Sequence, residues 1–383
     1  MHIDFKGSPA PTLGVEWELA CVDRSTGELV PVAAEVLAAV CPPGSETHPK
    51  VKKELLGNTV EAVTGICRTV AEAANDLAVT VQGLRGVTDP LGVELFSAGC
   101  HPFSRWEDQE VSEGDRYATL IDRTRWWGRQ MVIFGVHVHV GVASAAKAMP
   151  IVTSMLTWFP HLQALSASSP FWVGQDTGYA SNRALLFQQL PTAGLPFHFS
   201  AWSEYERYVE DLTRTGVIDG LSDIRWDVRP SPTLGTVEVR VCDGIPTLTE
   251  VAALTALTQC LVVDLDRRLD AGETLPVMPP WHVQENKWRA ARYGLDAEII
   301  LDAAGRERLV TDDLDDLLER LTPLARELEC EDELAAIADI PKRGASYQRQ
   351  RAVAEQSGGD VRAVVDSLVE EMRSGTPGAG LPR

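Results

Sequence analysis

Three short segments alternate apolar and charged residues, and this pattern constrains the fold more than any other feature of the sequence. They read GVEWEL near residue 16, VHVHVG near residue 138 and TVEVRV near residue 239. Successive side chains of an extended strand point to opposite faces of a sheet. The pattern therefore predicts three strands, each with an apolar face that packs on helices and a face of ionisable side chains.

The ionisable faces carry three dyads: Glu16 and Glu18, His137 and His139, and Glu238 and Arg240. One such dyad alone is typical of a solvent-facing row on an antiparallel sheet. Adjacent carboxylates or imidazoles, however, cost repulsion or desolvation unless another group compensates them. Three dyads in one chain favour a shared polar floor on which cations bind.

The residue types of this floor indicate which cation it would bind. Carboxylates dominate, and the seven cysteines are scattered without a CxxC pair, so sulfur ligation and a disulfide framework are disfavoured. Oxygen-rich sites suit Mg²⁺ or Mn²⁺ and tolerate one imidazole. The chain has no GxxxxGK[ST] loop and no GxGxxG after a strand. A nucleotide would then be held through metal ions on the floor.

Further candidates lie outside the dyads. Glu54 and Glu61 flank LLGNTV, and the VEAV context of Glu61 is strand-like, so both are candidates to extend the floor. Arg183 and Arg229 could each clamp a carboxylate or phosphate bidentately, or pair with an acidic neighbour. These alternatives remain open at this point.

The segment ENKWRAARYGL predicts a basic helix in an acidic protein. Its cations include Lys287 and Arg289, which would either face a polyphosphate or form a solvated surface. The sequence does not separate these two interpretations.

The overall charge narrows the partners. The formal net charge of −20 is opposite to that of proteins that bind nucleic acid or anionic membranes through phosphates. The N-terminus lacks the basic and apolar segments of a signal peptide, and we find no run of about 18 apolar residues. We therefore expect a cytoplasmic protein whose partners are small molecules.

The periodicity predicts one large α+β domain over residues 1–374 and a disordered tail over residues 375–383. Strands are expected at 13–21, 92–99, 130–142 and 236–243, and residues 168–196 are expected to form a long loop. Helices are expected at 32–40, 68–84, from Pro150 to 166, at 248–269, 285–295 and 314–328.

The chain resembles a known family through several collinear segments. These are GVEWEL, HVHVGV, SPFWVGQDTGYASNRALLFQQLPTAGLP, WDVRPSPTLGTVEVRVCD and ENKWRAARYGLDA, followed by GASYQRQR and DVRAVVDSL. Together they are similar to the carboxylate–amine ligases called glutamate–cysteine ligase type 2. The resemblance extends in order from about residue 10 to residue 370.

The resemblance implies a glutamine synthetase-like catalytic core, a curved and mainly antiparallel sheet flanked by helices, with ATP and divalent cations on its concave face. It also implies roles for residues that match the motifs. Metal ligation is implied for Glu16, Glu18, Glu61, His139 and Glu238, with His139 facing metal or nucleotide, and catalysis for Glu238 and Arg240. Residue type, rather than the resemblance, adds Arg183 as a catalytic candidate and Arg229, Lys287 and Arg289 as candidates for nucleotide binding.

The implied reaction is the ATP- and Mg²⁺-dependent joining of a carboxylate to an amine through an acyl-phosphate, with glutamate and cysteine or another amine as substrates. Arg240 would reach the transferring phosphoryl group. The intermediate hydrolyses readily, and the loop at 168–196 is the candidate cover that excludes water.

Other functions stay open from the sequence alone. A ligase for a specialised acid and amine pair, a catalytically silent ATP or metabolite sensor, and a metal-dependent hydrolase would all use the same floor. A homo-oligomer is compatible with each of them.

Overall fold

A central antiparallel sheet organises this protein, whose computed structural model describes residues 1–8, 10–45 and 47–378. Among the described residues this sheet has seven strands, and two short ribbons lie apart from it. The strands are β1 (Leu13–Asp23), β2 (Val51–Lys53), β3 (Thr59–Val63), β4 (Val93–Phe96), β5 (Gly135–Gly141), β6 (Phe171–Trp172), β7 (Gln175–Asp176), β8 (Val228–Ser231), β9 (Thr236–Asp243), β10 (Glu298–Ile300) and β11 (Glu307–Leu309). The order in the main sheet is β2-β3-β1-β5-β9-β8, and β4 also pairs with β1.

Helices surround this sheet. They are α1 (Ala33–Val40), α2 (Val70–Thr88), α3 (Asp115–Arg129), α4 (Ala145–Met155), α5 (Phe159–Ser166), α6 (Arg183–Phe187), α7 (Trp202–Arg214), α8 (Leu248–Asp270), α9 (Pro280–Tyr293), α10 (Val310–Glu327), α11 (Glu331–Ala336), α12 (Asp339–Arg343), α13 (Ser346–Gln356) and α14 (Val361–Ser374). One contiguous cluster of buried apolar side chains extends from Ile3 to Met372.

The apolar face of the sheet packs on the helices as its strand pattern predicts. In β1, the side chains of Val15, Trp17 and Leu19 are at most 2% exposed. The long helix α8 begins after Thr247, whose hydroxyl accepts a hydrogen bond from the backbone N–H of Glu250. By length and composition α8 could span a membrane, but 83% of its most apolar window is buried within the protein. The predicted α+β class, with a mainly antiparallel sheet, is confirmed.

Two local predictions are wrong. The helix expected to begin after Pro150 begins at Ala145 and contains Pro150, because a proline removes one N–H but does not always end a helix. Helix α4 then ends at Met155. A separate helix, α5, starts with Pro160 in its first turn, where a backbone N–H has no partner within the helix. The expected loop at 168–196 contains the β6–β7 ribbon and α6.

A buried carboxylate from the end of β9 fixes this long segment. Asp243 accepts hydrogen bonds from the backbone N–H of Ser168 at 3.0 Å, the hydroxyl of Ser169 at 2.7 Å and the hydroxyl of Ser181 at 2.8 Å. Burial raises the pKa of Asp243. These hydrogen bonds therefore fix residues 168–181, the first half of the long segment, to the end of β9.

The predicted tail lies only partly within the described residues. The backbone N–H of Gly378 donates to a carboxylate oxygen of Glu371 at 3.0 Å. Residues 379–383 of the predicted tail lie outside the described residues.

Candidate active site

Strand register brings the three dyads together on one face of the sheet, which we call the floor. Antiparallel pairing of neighbouring strands sets residues directly opposite one another at close range. The opposed pairs are Glu16 with His137 (β1–β5), Glu18 with Glu61 (β1–β3), His139 with Glu238 (β5–β9) and Arg229 with Glu238 (β8–β9). Side chains predicted from five separate sequence segments therefore form one continuous polar surface.

Glu16 lies between the two histidines of β5. One carboxylate oxygen lies 2.9 Å from Nδ1 of His137, and the other lies 3.2 Å from Nε2 of His139. Burial raises the pKa of Glu16, but hydrogen bonds and charge from both imidazoles outweigh it and hold this pKa well below its usual value. Burial and the charge of Arg240 lower the pKa of His137. Glu16 is therefore the ionised centre of the floor.

Glu238 is fully buried and anchors two guanidinium groups. Arg229 donates two hydrogen bonds to it, at 2.6 Å and 3.2 Å, and Nη1 of Arg240 donates a third. Burial opposes ionisation of Glu238, but the charges of Arg229 and Arg240 prevail and lower its pKa strongly.

The pairing of β5 and β9 shifts at His137, where β9 has one extra residue, and such bulges re-aim side chains. Arg240 lies at this bulge.

Two further carboxyl groups crowd the other end of the floor. Burial and the charge of Glu18 raise the pKa of Glu54 to about 8. Burial and the charges of Glu16 and Glu54 raise the pKa of Glu61 well above its usual value. Carboxyl groups this close cannot all ionise without a nearby positive charge. A divalent cation is a charge of the kind that would allow it.

The floor offers two overlapping sets of metal ligands, and His137 belongs to both. Ligand atoms of Glu16, His137 and Glu238 lie within 4.8 Å of one another, as do those of Glu18, Glu61 and His137. This arrangement of carboxylates and one imidazole suits Mg²⁺ or Mn²⁺. The sequence pointed to His139 as the ligand, whereas the clusters contain its neighbour.

His139 lies beside these clusters with both ring nitrogens engaged. Its Nδ1 lies 2.9 Å from the hydroxyl of Thr236, and its Nε2 contacts Glu16 at 3.2 Å. The HxH pattern places both histidines on one face, and strand pairing distinguishes their positions: on β1, His137 lies opposite Glu16 and His139 lies opposite Gly14.

The floor opens into a cavity of about 400 Å³. Arg183, at the start of α6, is among its lining residues although it is only 3% exposed. Its Nη1 donates to the backbone oxygen of Arg240 at 3.2 Å, and its Nη2 lies 3.4 Å from Nε2 of His137. A Cβ at Gly135 would overlap this guanidinium, so a larger residue there would displace Arg183 from its present position. The structure thus brings Arg183 and Arg229 to the site, as predicted.

The cations of α9 do not line this cavity. Lys287 forms a buried ion pair with Asp227 at 2.6 Å. Arg289 pairs on the surface with Glu285 at 2.8 Å and Glu307 at 2.7 Å. The prediction that Lys287 and Arg289 face a nucleotide on the floor is not supported by their positions, because each cation is committed to carboxylates elsewhere.

Two solved structures share this architecture. A glutamate–cysteine ligase from Francisella tularensis, solved with AMP, superimposes with a TM-score of 0.70 at 13% identity, covering 97% of this chain and 90% of that one. A bifunctional glutathione synthetase from Pasteurella multocida gives 0.67 at 14% identity, covering 95% of this chain and 52% of that one. This chain thus spans about half of the bifunctional protein. The fold is that of the glutamine synthetase-like ligases.

Sequence comparison defines the family within that class. The profile of glutamate–cysteine ligase family 2 matches residues 12–367, and this chain belongs to that family. A relative from Mycolicibacterium paratuberculosis is 63% identical over 371 residues, which is 97% of each chain, and one from Mycobacterium tuberculosis is 64% identical over the same span. Both relatives carry the provisional name glutamate–cysteine ligase 2. Membership makes this chain a ligase of the glutamate–cysteine ligase type.

Proposed function

We propose that this enzyme uses ATP and Mg²⁺ to join the side-chain carboxylate of glutamate to cysteine or another amine, through an acyl-phosphate. The observation that carries the proposal is the floor: two overlapping sets of metal ligands and several guanidinium groups that share one cavity. The relatives' name and the AMP bound to the Francisella enzyme agree with it. We place the reaction in the cytoplasm.

The floor fits the cations that such a reaction requires. Glu16, Glu18, Glu61, His137 and Glu238 would hold divalent cations, and Mg²⁺ bound there would neutralise phosphate charge and align the reacting groups. The raised pKa values of Glu54 and Glu61 show how much negative charge is concentrated at this place. A polyanion such as ATP would otherwise be repelled by it.

Two guanidinium groups retain donors for an anion. Among the described residues, the Nε atoms of Arg183 and Arg240 have no hydrogen-bond partner. Both guanidinium groups lie against the ring of Phe187. The guanidinium carbon of Arg240 lies 5.9 Å from the ring centre, and that of Arg183 lies 5.7 Å from it. Arg240 would stabilise the charge of the phosphoryl group in transfer, because its planar group can bond two oxygens at once.

One wall of the cavity is apolar, as a water-sensitive intermediate requires. Met131, Phe187 and Leu190 form a small buried cluster, and all three line the cavity. Phe187 and Leu190 come from the segment 168–196, so part of the predicted cover contributes to this wall. Excluding water protects an acyl-phosphate until the amine attacks it.

The experiment that tests the proposal measures phosphate release from ATP with Mg²⁺ across a panel of carboxylic acids and amines, with product masses recorded. We expect release that depends on both partners, together with an amide product and ADP. The panel includes uncommon acids and amines, so that a specialised pair is detected as readily as glutamate and cysteine. Release that depends on neither partner would contradict the ligase and favour a nucleotide hydrolase. If no pair supports release while ATP binds, the protein is a sensor.

A further inference from the structure

A second cavity of about 340 Å³ adjoins the main one, between α3 and residues 219–225, and we call it the annex. Arg116, Leu120, Ser222 and Arg225 line both cavities, so a molecule in the annex borders directly on the main cavity. The roles proposed above leave the annex without a ligand.

One face of α3 forms a wall of the annex. Arg116, Thr119, Leu120 and Arg123 all line it. Their spacing of three, four and seven residues places them on a single stripe of the helix. The helix therefore presents two guanidinium groups, two turns apart, to the same space.

These two guanidinium groups are not committed to the protein's own carboxylates. Within residues 1–8, 10–45 and 47–378, neither Arg116 nor Arg123 forms an ion pair, and Arg123 only donates to the backbone oxygen of Val217. Arg225 differs, because it pairs with Asp223 at 3.1 Å. Asp219 and Asp223 also line the annex, but within the described residues neither pairs with Arg116 or Arg123, so these two exposed guanidinium groups keep donors for an anionic ligand.

The main cavity has its own cations for the nucleotide and the donor acid. Lys52 and Lys53 line it from the β2 side, and Arg183, Arg229 and Arg240 surround the floor. An amide-forming ligase must also bind an amine next to the activated carboxylate. The annex is the adjoining space in which the rest of that amine substrate would lie.

We propose that the annex binds a carboxylate of the amine substrate, held by Arg116 and Arg123, so that the acceptor is an amino acid rather than a simple amine. This inference rests on the ligase function proposed above. Guanidinium forks bind carboxylates bidentately. A site built for such a group rejects analogues that lack it, because its charged donors are then left unpaired.

Matched pairs of acceptors test this directly: cysteine against cysteamine, and alanine against ethylamine. Each is titrated calorimetrically into the whole protein with Mg²⁺, glutamate and a non-hydrolysable ATP analogue. We expect the wild type to bind the amino acid about tenfold or more tightly than its decarboxylated partner, as one charge-assisted contact provides. Arg116→Gln and Arg123→Gln should each remove most of this preference, with little change for the simple amines.

Arg129→Gln is the control, because Arg129 lies on the same helix but lines a different surface cavity. It should bind both members of each pair as the wild type does. Equal affinity within every pair, including no binding of any, overturns the proposal. Weaker binding of glutamate alone in the Arg116 and Arg123 variants also overturns it, because the annex would then hold the donor.

Turnover separates this inference from the function on which it rests. Amide formation without a preference for amino acids would refute the annex and leave the ligase intact. Failure of every acid and amine pair to release phosphate would refute the ligase, while the calorimetric series would still decide what the annex binds.

Discussion

The floor and helix α9 both stand out in the sequence as concentrations of charge, but the structure uses them in opposite ways. On the floor, Glu16 and Glu238 lie on buried or half-buried strand positions and share partners from neighbouring strands. On α9, Lys287 and Arg289 each have carboxylate partners of their own. Glu54 and Glu61 of the floor differ from these, because within the described residues neither forms an ion pair, and burial and neighbouring carboxylates raise the pKa of both. Charge that the protein leaves unbalanced in this way marks the ligand site, and charge that it balances locally does not.

The strand period explains part of this difference. A period of two assigns a residue to a face without ambiguity, and one shared face collects residues from every paired strand. A helical stripe contacts whichever element packs beside it, so its cations can pair with acids that are distant in sequence, as Lys287 does with Asp227.

The largest expected effect is that of Glu16→Gln on turnover. The neutral amide would bind a metal ion less tightly and would weaken the contacts with the two histidines. We therefore expect kcat to fall by about a thousandfold or more. Steady-state kinetics and circular dichroism would separate lost chemistry from lost folding. The exposed Glu35→Gln on α1 is the control and should retain wild-type turnover. A fully active Glu16→Gln variant would refute the assignment of metal to the floor.

For Lys287 on α9, a substitution is expected to change the stability of the protein rather than its turnover. Lys287→Met leaves Asp227 buried without its partner, and breaking a buried pair costs about 3–5 kcal/mol. Urea unfolding should show this loss, while the folded fraction keeps kcat within about twofold, as expected for a residue without catalytic contacts. The double variant Lys287→Met with Asp227→Leu should recover most of the stability. A large loss of kcat at unchanged stability would show instead that Lys287 contributes to the active site.

Arg240→Lys and Arg289→Lys make the same chemical change in the two regions. Lysine cannot reproduce the planar fork, so we expect Arg240→Lys to lower kcat by about a hundredfold. Arg289 forms surface ion pairs, and its replacement should leave kcat unchanged. Equal kinetics of the two variants would remove Arg240 from the chemistry.

The smallest expected effect concerns pH. The pKa of Glu54 is raised to about 8 and that of Glu61 is also raised, so between about pH 5 and 8 the folded protein holds protons that the unfolded chain has released. The metal-free protein should therefore become less stable as the pH rises through this window. Mg²⁺ should abolish this slope, because a bound cation favours the ionised carboxylates. Urea unfolding midpoints across this pH range, with Mg²⁺ or with EDTA, measure the slope of stability against pH. An identical slope in the two conditions would contradict the binding of Mg²⁺ by the carboxyl groups of the floor.

The sheet and its polar face were predictable because they rest on local periodicity. Glu16, Glu18 and Glu238 came from residue type and the strand period alone. The choice between His137 and His139 could not be made that way, because both share a face and only the register of β5 against its neighbours β1 and β9 separates them.

Other features depend on contacts between distant segments. The ordered path of residues 168–196 rests on Asp243, which is more than 60 residues away from its serine partners. Helix α3 escaped prediction because its sequence is mostly polar, and only Ile121 and Gly128 are buried along it. The stripe of Arg116 and Arg123 is therefore visible only once the annex is formed.

On the floor, a carboxylate is proposed to receive the phosphoryl group of ATP, and an oxygen label follows that step. Glutamate labelled with ¹⁸O in its side-chain carboxylate, or whichever acid the panel identifies, would be turned over with ATP and Mg²⁺ and the phosphate analysed by mass spectrometry. We predict one ¹⁸O atom in the released phosphate for each amide formed, with ADP as the other product. Unlabelled phosphate, or label that appears in AMP, would contradict the acyl-phosphate and with it the role assigned to the floor.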